Sequence, residues 1–85
     1  MTKTVAEKRD EHFMGQALSR ARMAYTKGEV PVGAVVVCPD GKVIGFGFNK
    51  VESQKCQTAH AEIEALAKAT EIKKDWRLEG CTLYV

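Results

Sequence analysis

Between Met14 and Tyr25 the apolar residues recur at spacings of three and four: Met14, Ala17, Leu18, Ala21, Ala24 and Tyr25. That period lays one stripe along an α-helix and predicts a first element facing a core. Asp10 is placed to cap it, Glu11 suits the positive end of its dipole, and Lys27-Gly28 closes it. The pattern then changes. Val32, Ala34, Val35, Val36 and Val37 follow without polar alternation, the signature of a strand buried on both faces. "PDGK" supplies a tight turn with Asp40-Gly41 at its tip, which predicts a hairpin. In the second strand, "VIGFGFN", alternation sends Ile44, Phe46 and Phe48 to one face and Val43, Gly45, Gly47 and Asn49 to the other. Two glycines on one face mean either the close approach of a backbone or ligand, or a bulge.

Val51 to Gln57 reads as a polar loop, and Thr58 as the N-cap of a helix from Ala59 to about Thr70. Ala59, Ile63, Leu66, Ala67 and Thr70 mark its expected buried face. After a charged connection, "CTLYV" reads as a third strand. The order α-β-β-α-β predicts an α/β fold of three layers, with the two helices on opposite faces of a mixed three-stranded sheet. The expected strand order is 2-1-3, with the third strand parallel to the first.

Composition narrows the function classes. An 85-residue chain with 45% hydrophobic and 28% charged residues is an ordinary globular domain. A net charge of +2 is too mild to argue for a nucleic-acid partner by itself. The longest nearly apolar run, Val30 to Cys38, is far too short to span a bilayer, so a membrane role is not expected. With a polar N-terminus in "MTKTVAEKRDEH", a cytoplasmic location is the expectation. Cys38, Cys56 and Cys81 are odd in number and lack C-x-x-C spacing, which indicates free thiols.

The candidate chemistry lies in "TAHAEIEAL". His60 and Glu62 stand two apart at a helix start, where side chains project beyond the helix end. A neutral imidazole is a zinc ligand, and a nearby carboxylate can shuttle a proton. On these two residues alone a second reading stays open: a first-turn glutamate also serves as a dipole partner.

Four stretches, "GEVPVGAVVV", "DGKVIGFGFN", "TAHAEIEAL" and "WRLEGCTLYV", occur in one order and at one spacing. Together they resemble the N-terminal half of the bacterial tRNA adenosine deaminases, within the zinc-dependent cytidine deaminase superfamily. The resemblance runs from about His12 to Val85. It implies a cytidine-deaminase-like fold, with residues 1–85 as a single partial domain. The implied reaction is hydrolytic conversion of adenosine to inosine at the wobble position of a tRNA anticodon loop, on one zinc per complete domain. His60 matches the zinc-ligating histidine. Glu62 matches the glutamate that moves protons and is not itself a ligand. Asn49 matches a substrate-contacting asparagine, with the alternative of a strand-end turn residue. Val30 and Ala34 fall in a pocket-lining segment, with the alternative of plain core. Complete members of the family are expected to be homodimers.

The sequence departs from the family pattern in two places. Cys56-Gln57 stands where Asp-Pro usually leads into the motif, and Cys56 is a remote candidate ligand beside the simpler reading of a loop thiol. The segment that would carry P-C-x-x-C after "TLYV" is absent, and with it both cysteine ligands. The alternatives are therefore a deaminase of a free base or nucleotide (guanine, cytosine or dCMP), or a non-catalytic fragment or pseudoenzyme that needs a partner chain.

Overall fold

In a computed structural model, which describes residues 2–56 and 58–85, the chain forms six elements. They are α1 (Val5–Thr26), β1 (Gly33–Val37), β2 (Val43–Phe48), α2 (Val51–Gln54), α3 (Ala61–Lys73) and β3 (Thr82–Tyr84). Helix α1 begins well before Asp10. Thr4 is its N-cap and forms a reciprocal capping box with Glu7: the Glu7 amide donates to Thr4 Oγ1 at 3.1 Å, and the Thr4 amide to Glu7 Oε1 at 3.3 Å. Asp10 is thereby freed, and its carboxylate accepts the Tyr84 hydroxyl at 2.6 Å. Gly28, at φ +75°, takes the left-handed conformation that ends the helix. The buried stripe is Phe13, Ala17 and Ala24, while Met14, Leu18 and Tyr25 remain exposed. Phe13 wins its place because its ring packs on Tyr84 of β3, 5.6 Å between centroids.

All five residues of β1 are buried, as the unbroken valine run requires. Val35 and Val37 face α1 with Phe13, Ala17 and Tyr84. Ala34 and Val36 face α3 with Ala61, Ala65 and Ala69. Each fully buried valine contributes about 1.5–3 kcal/mol over an exposed one. The helices thus cover opposite faces of a sheet ordered β2-β1-β3.

One feature of the expected sheet is wrong. Strand β3 runs antiparallel to β1, pairing Val35 with Tyr84 and Val37 with Thr82. The sheet is therefore antiparallel throughout and not mixed. A crossover helix returns the chain to the end where the preceding strand began, so β3 must run parallel to β2, which feeds α3. Since β2 is antiparallel to β1, so is β3.

A bulge alters the facing of β2. Val36 pairs with Gly45 and Val37 with Val43, leaving Ile44 as the extra residue. Ile44 consequently joins the α3 side, apart from Phe46 and Phe48. The two glycines admit a backbone, not a ligand. A Cβ on Gly45 would collide with the Ala65 carbonyl oxygen, and one on Gly47 would lie 2.6 Å from that of Ala61. This close seating makes Ala61, Ala65 and Ala69 the buried face of α3. The bulkier Ile63 lies outside it, exposed. Among the described residues no helix is long and apolar enough to cross a membrane.

Candidate active site

Helix α3 starts at Ala61, two residues later than Thr58 capping predicts, and His60 is its N-cap. His60 has extended backbone (φ −82°, ψ 150°), makes no side-chain capping bond and is exposed at the helix end. Glu62, two residues further on, is half-buried. The first turn holds two carboxylates, Glu62 and Glu64. Lys50 pairs with Glu64 at 3.8 Å, and among the described residues no ion pair engages Glu62. That leaves Glu62 available for proton transfer.

The chain reaches this helix through a segment locked from below. Asn49, 6% exposed, accepts the Val51 amide at 3.3 Å on Oδ1 and donates from Nδ2 to the Val30 carbonyl at 3.5 Å. Its own amide donates to the Val32 carbonyl at 3.0 Å. The structure thus brings Asn49 and Val30 together, and the Val30 side chain is 63% exposed above them. Ala34 lies elsewhere, fully buried in the α3-side core cluster that includes Ala61. Next, the Lys50 amide donates to the Ala59 carbonyl at 2.8 Å, tying the end of β2 to the residue before His60.

Sequence reasoning missed Glu29. Its carboxylate is 4% exposed and accepts the amides of Glu52 at 2.9 Å and Ser53 at 2.6 Å. These are first-turn N–H groups of α2, the short helix formed where the pattern predicts only a loop. Burial pushes the Glu29 carboxyl upward, but the two amides outweigh it and hold its pKa below the usual range. Glu29 and Asn49 are the buried polar side chains among the described residues, and both fix this one segment. The signal available was an acid directly before an apolar strand, where a charge needs a buried partner.

Cys56 is exposed, and its thiol lies 3.1 Å from the Thr58 hydroxyl. That hydrogen bond, with the Thr58 amide, lowers its pKa. Its neighbour Gln57, the other half of the departure before the motif, lies outside the described residues. Among the described residues no three His, Cys, Asp or Glu side chains gather as a metal site. His60 alone does not complete a zinc site, which takes three protein ligands.

Comparison with known proteins places this arrangement. The family model for the cytidine and deoxycytidylate deaminase zinc-binding region matches residues 7–85. The chain is 47% identical over 75 residues to a tRNA-specific adenosine deaminase of Aquifex aeolicus, covering 88% of this chain and 49% of that protein. Among solved structures, one from work on A-to-I editing by tRNA:A34 deaminases superposes with a TM-score of 0.81 at 44% identity. It covers 87% of this chain and 53% of that one. A guanine deaminase from Bacillus subtilis gives the same TM-score at 37% identity, over 87% and 47% of the two chains. The chain spans about half the length of these proteins. With the family model matching residues 7–85, nearly the whole chain, the chain belongs to the cytidine and deoxycytidylate deaminase zinc-binding family.

Proposed function

We propose that residues 1–85 are one partial domain, the N-terminal half of a zinc-dependent deaminase that converts adenosine to inosine at the wobble position of a tRNA anticodon loop. The observation that carries this reading is the 47% identity to a tRNA-specific adenosine deaminase over 88% of the chain. In the complete protein His60 is one zinc ligand, and the others come from residues outside this chain. Zinc, when bound, supplies a water acidic enough to react at neutral pH. Glu62 would be the group that moves protons there, its carboxylate taking one up and passing it on toward the purine ring and the leaving amine. Its position in the first turn, and the absence of an ion pair to it among the described residues, support that role. Asn49 holds the nucleoside at the pocket wall beside the exposed Val30 side chain, and Ala34 is the packing floor under the first turn of α3. The base is presented flipped out of a single-stranded loop, which is cheap to unstack. A cytoplasmic homodimer belongs to the same reading and rests on the resemblance.

The equal TM-score to a guanine deaminase favours a second reading, a purine-base deaminase. One experiment separates the two. The complete protein is given an anticodon stem-loop with adenosine at the wobble position, and free guanine in parallel. Inosine should accumulate in the RNA. Glu62→Gln should abolish turnover while keeping zinc, and His60→Ala should lose the metal. Turnover of free guanine with an untouched stem-loop would establish the second reading.

A further inference from the structure

At the end of the sheet away from His60, two thiols meet. The β1–β3 ladder pairs Val37 with Thr82, and one step beyond it Cys38 faces Cys81. Their sulfurs are 3.8 Å apart, with the Cys81 thiol directed at the Cys38 sulfur. Neither backbone amide is spent on the other residue: Cys38 donates to the Lys42 carbonyl at 2.9 Å and Cys81 to that of Leu78 at 3.1 Å. The two therefore stand as a non-hydrogen-bonded antiparallel pair. In that geometry Cα atoms lie about 4.5 Å apart, inside the range that a disulfide bridges without moving the backbone. Rotation of the two side chains is enough to close the gap. Both residues are half-buried and pack against the α3-side core, so they are held, not waving in solvent.

We propose that Cys38 and Cys81 form a dithiol modification site that an oxidant of the small-molecule disulfide class, such as oxidised glutathione, converts to an intramolecular disulfide. The Cys38 thiolate attacks one glutathione sulfur, the glutathione disulfide breaks, and the first glutathione leaves as a thiolate that takes up the Cys38 proton. The Cys81 thiolate then attacks the Cys38 sulfur of the mixed disulfide. The second glutathione leaves and takes the Cys81 proton. Two protein thiols are oxidised by two electrons, and one glutathione disulfide is reduced to two thiols. Burial and the neighbouring Cys38 thiol raise the Cys81 pKa, so mildly alkaline solution favours the Cys81 thiolate that closes the ring. Metal binding does not compete as an explanation, because among the described residues no third ligand joins the pair.

The site is independent of the proposed deaminase activity, and so is its test. The 85-residue chain carrying Cys56→Ser, which removes the exposed thiol, is treated with oxidised glutathione at mildly alkaline pH and followed by intact mass and thiol titration. The expected product has lost two hydrogens, has no free thiol and carries no glutathione. Its thermal midpoint should rise by roughly 10 °C or more, since the bond closes a long loop. With Cys38→Ser or Cys81→Ser added, a single glutathione adduct should remain on the other cysteine. In strong denaturant the ring closure should slow at least roughly tenfold, because the fold no longer holds the sulfurs together. Stable adducts on both cysteines, unreacted thiols, or an equal closure rate in denaturant would each overturn the proposal.

Discussion

Gly45 of β2 lies directly under Ala65 of α3, with the Ala65 carbonyl oxygen occupying the place where a side-chain carbon would stand. The Ala69 Cβ is only 3.0 Å from that same point. Gly45→Ala should therefore push the helix off the sheet and cost about 3 kcal/mol, at the upper end of overpacking penalties. Urea denaturation of the two chains measures it. A loss below about 0.5 kcal/mol would mean the helix sits higher than described.

Tyr84 ties β3 to α1 by donating its hydroxyl proton to Asp10 at 2.6 Å. Tyr84→Phe keeps the ring on Phe13 and removes only that bond, so the expected loss is about 1 kcal/mol. The hydrogen bond to Asp10, then burial, raises the Tyr84 pKa. A raised folded-state pKa contributes stability that is complete below the ordinary tyrosine range and fades as pH climbs through the folded value. The stability difference between the parent chain and the Tyr84→Phe variant should thus shrink only in strongly alkaline buffer.

Glu29→Gln should loosen α2 without unfolding the sheet. Hydrogen exchange at the Glu52 and Ser53 amides should quicken by roughly tenfold, the order expected for losing a charged acceptor. Because the folded pKa of Glu29 is depressed, its contribution is full above the ordinary glutamate range and disappears as pH falls through the folded value. The wild-type exchange rates should therefore approach those of the variant in acid. In the complete protein the same substitution should lower turnover, since Asn49 and the Ala59 carbonyl hang on this segment.

Zinc analysis of the 85-residue chain should find no stoichiometric metal. A complete structural site is worth on the order of 10 kcal/mol, and a lone imidazole retains little of it. One tightly held zinc per chain would contradict this and make Cys56 the first residue to mutate.

Much of the architecture was legible because it follows from side-chain period. The doubly buried valine run demanded two covering layers, and Gly28 announced the end of α1. Strand order followed from the hairpin and the crossover. The errors have local causes. The direction of β3 depends on which strand feeds the crossover, not on the pattern within "CTLYV". Ile44 changed sides through a bulge, which alternation cannot register. Thr58 is a better capping residue than His60 by propensity, yet α3 begins at Ala61, where its first carbonyl seats on Gly47. At the candidate site, the spacing of His60 and Glu62 placed both at a helix start, where the structure puts them, while their proposed roles rest on the resemblance; Glu29 binds amides more than twenty positions away and leaves no local pattern.

The contact of Gly47 with Ala61 has a mechanical consequence. It is a gauge block: one hydrogen atom's thickness on the strand sets the height of the helix end, and His60 is the next residue along. A larger residue at either position would not have to unfold the chain to matter. It would tip the head of α3 outward, carrying the imidazole with it. Metal coordination tolerates errors of only about 0.2 Å. The smallest side chains in the domain thus act as its finest positional standard, and in a complete protein where His60 holds zinc, as proposed, drift there should degrade metal affinity before it degrades the fold.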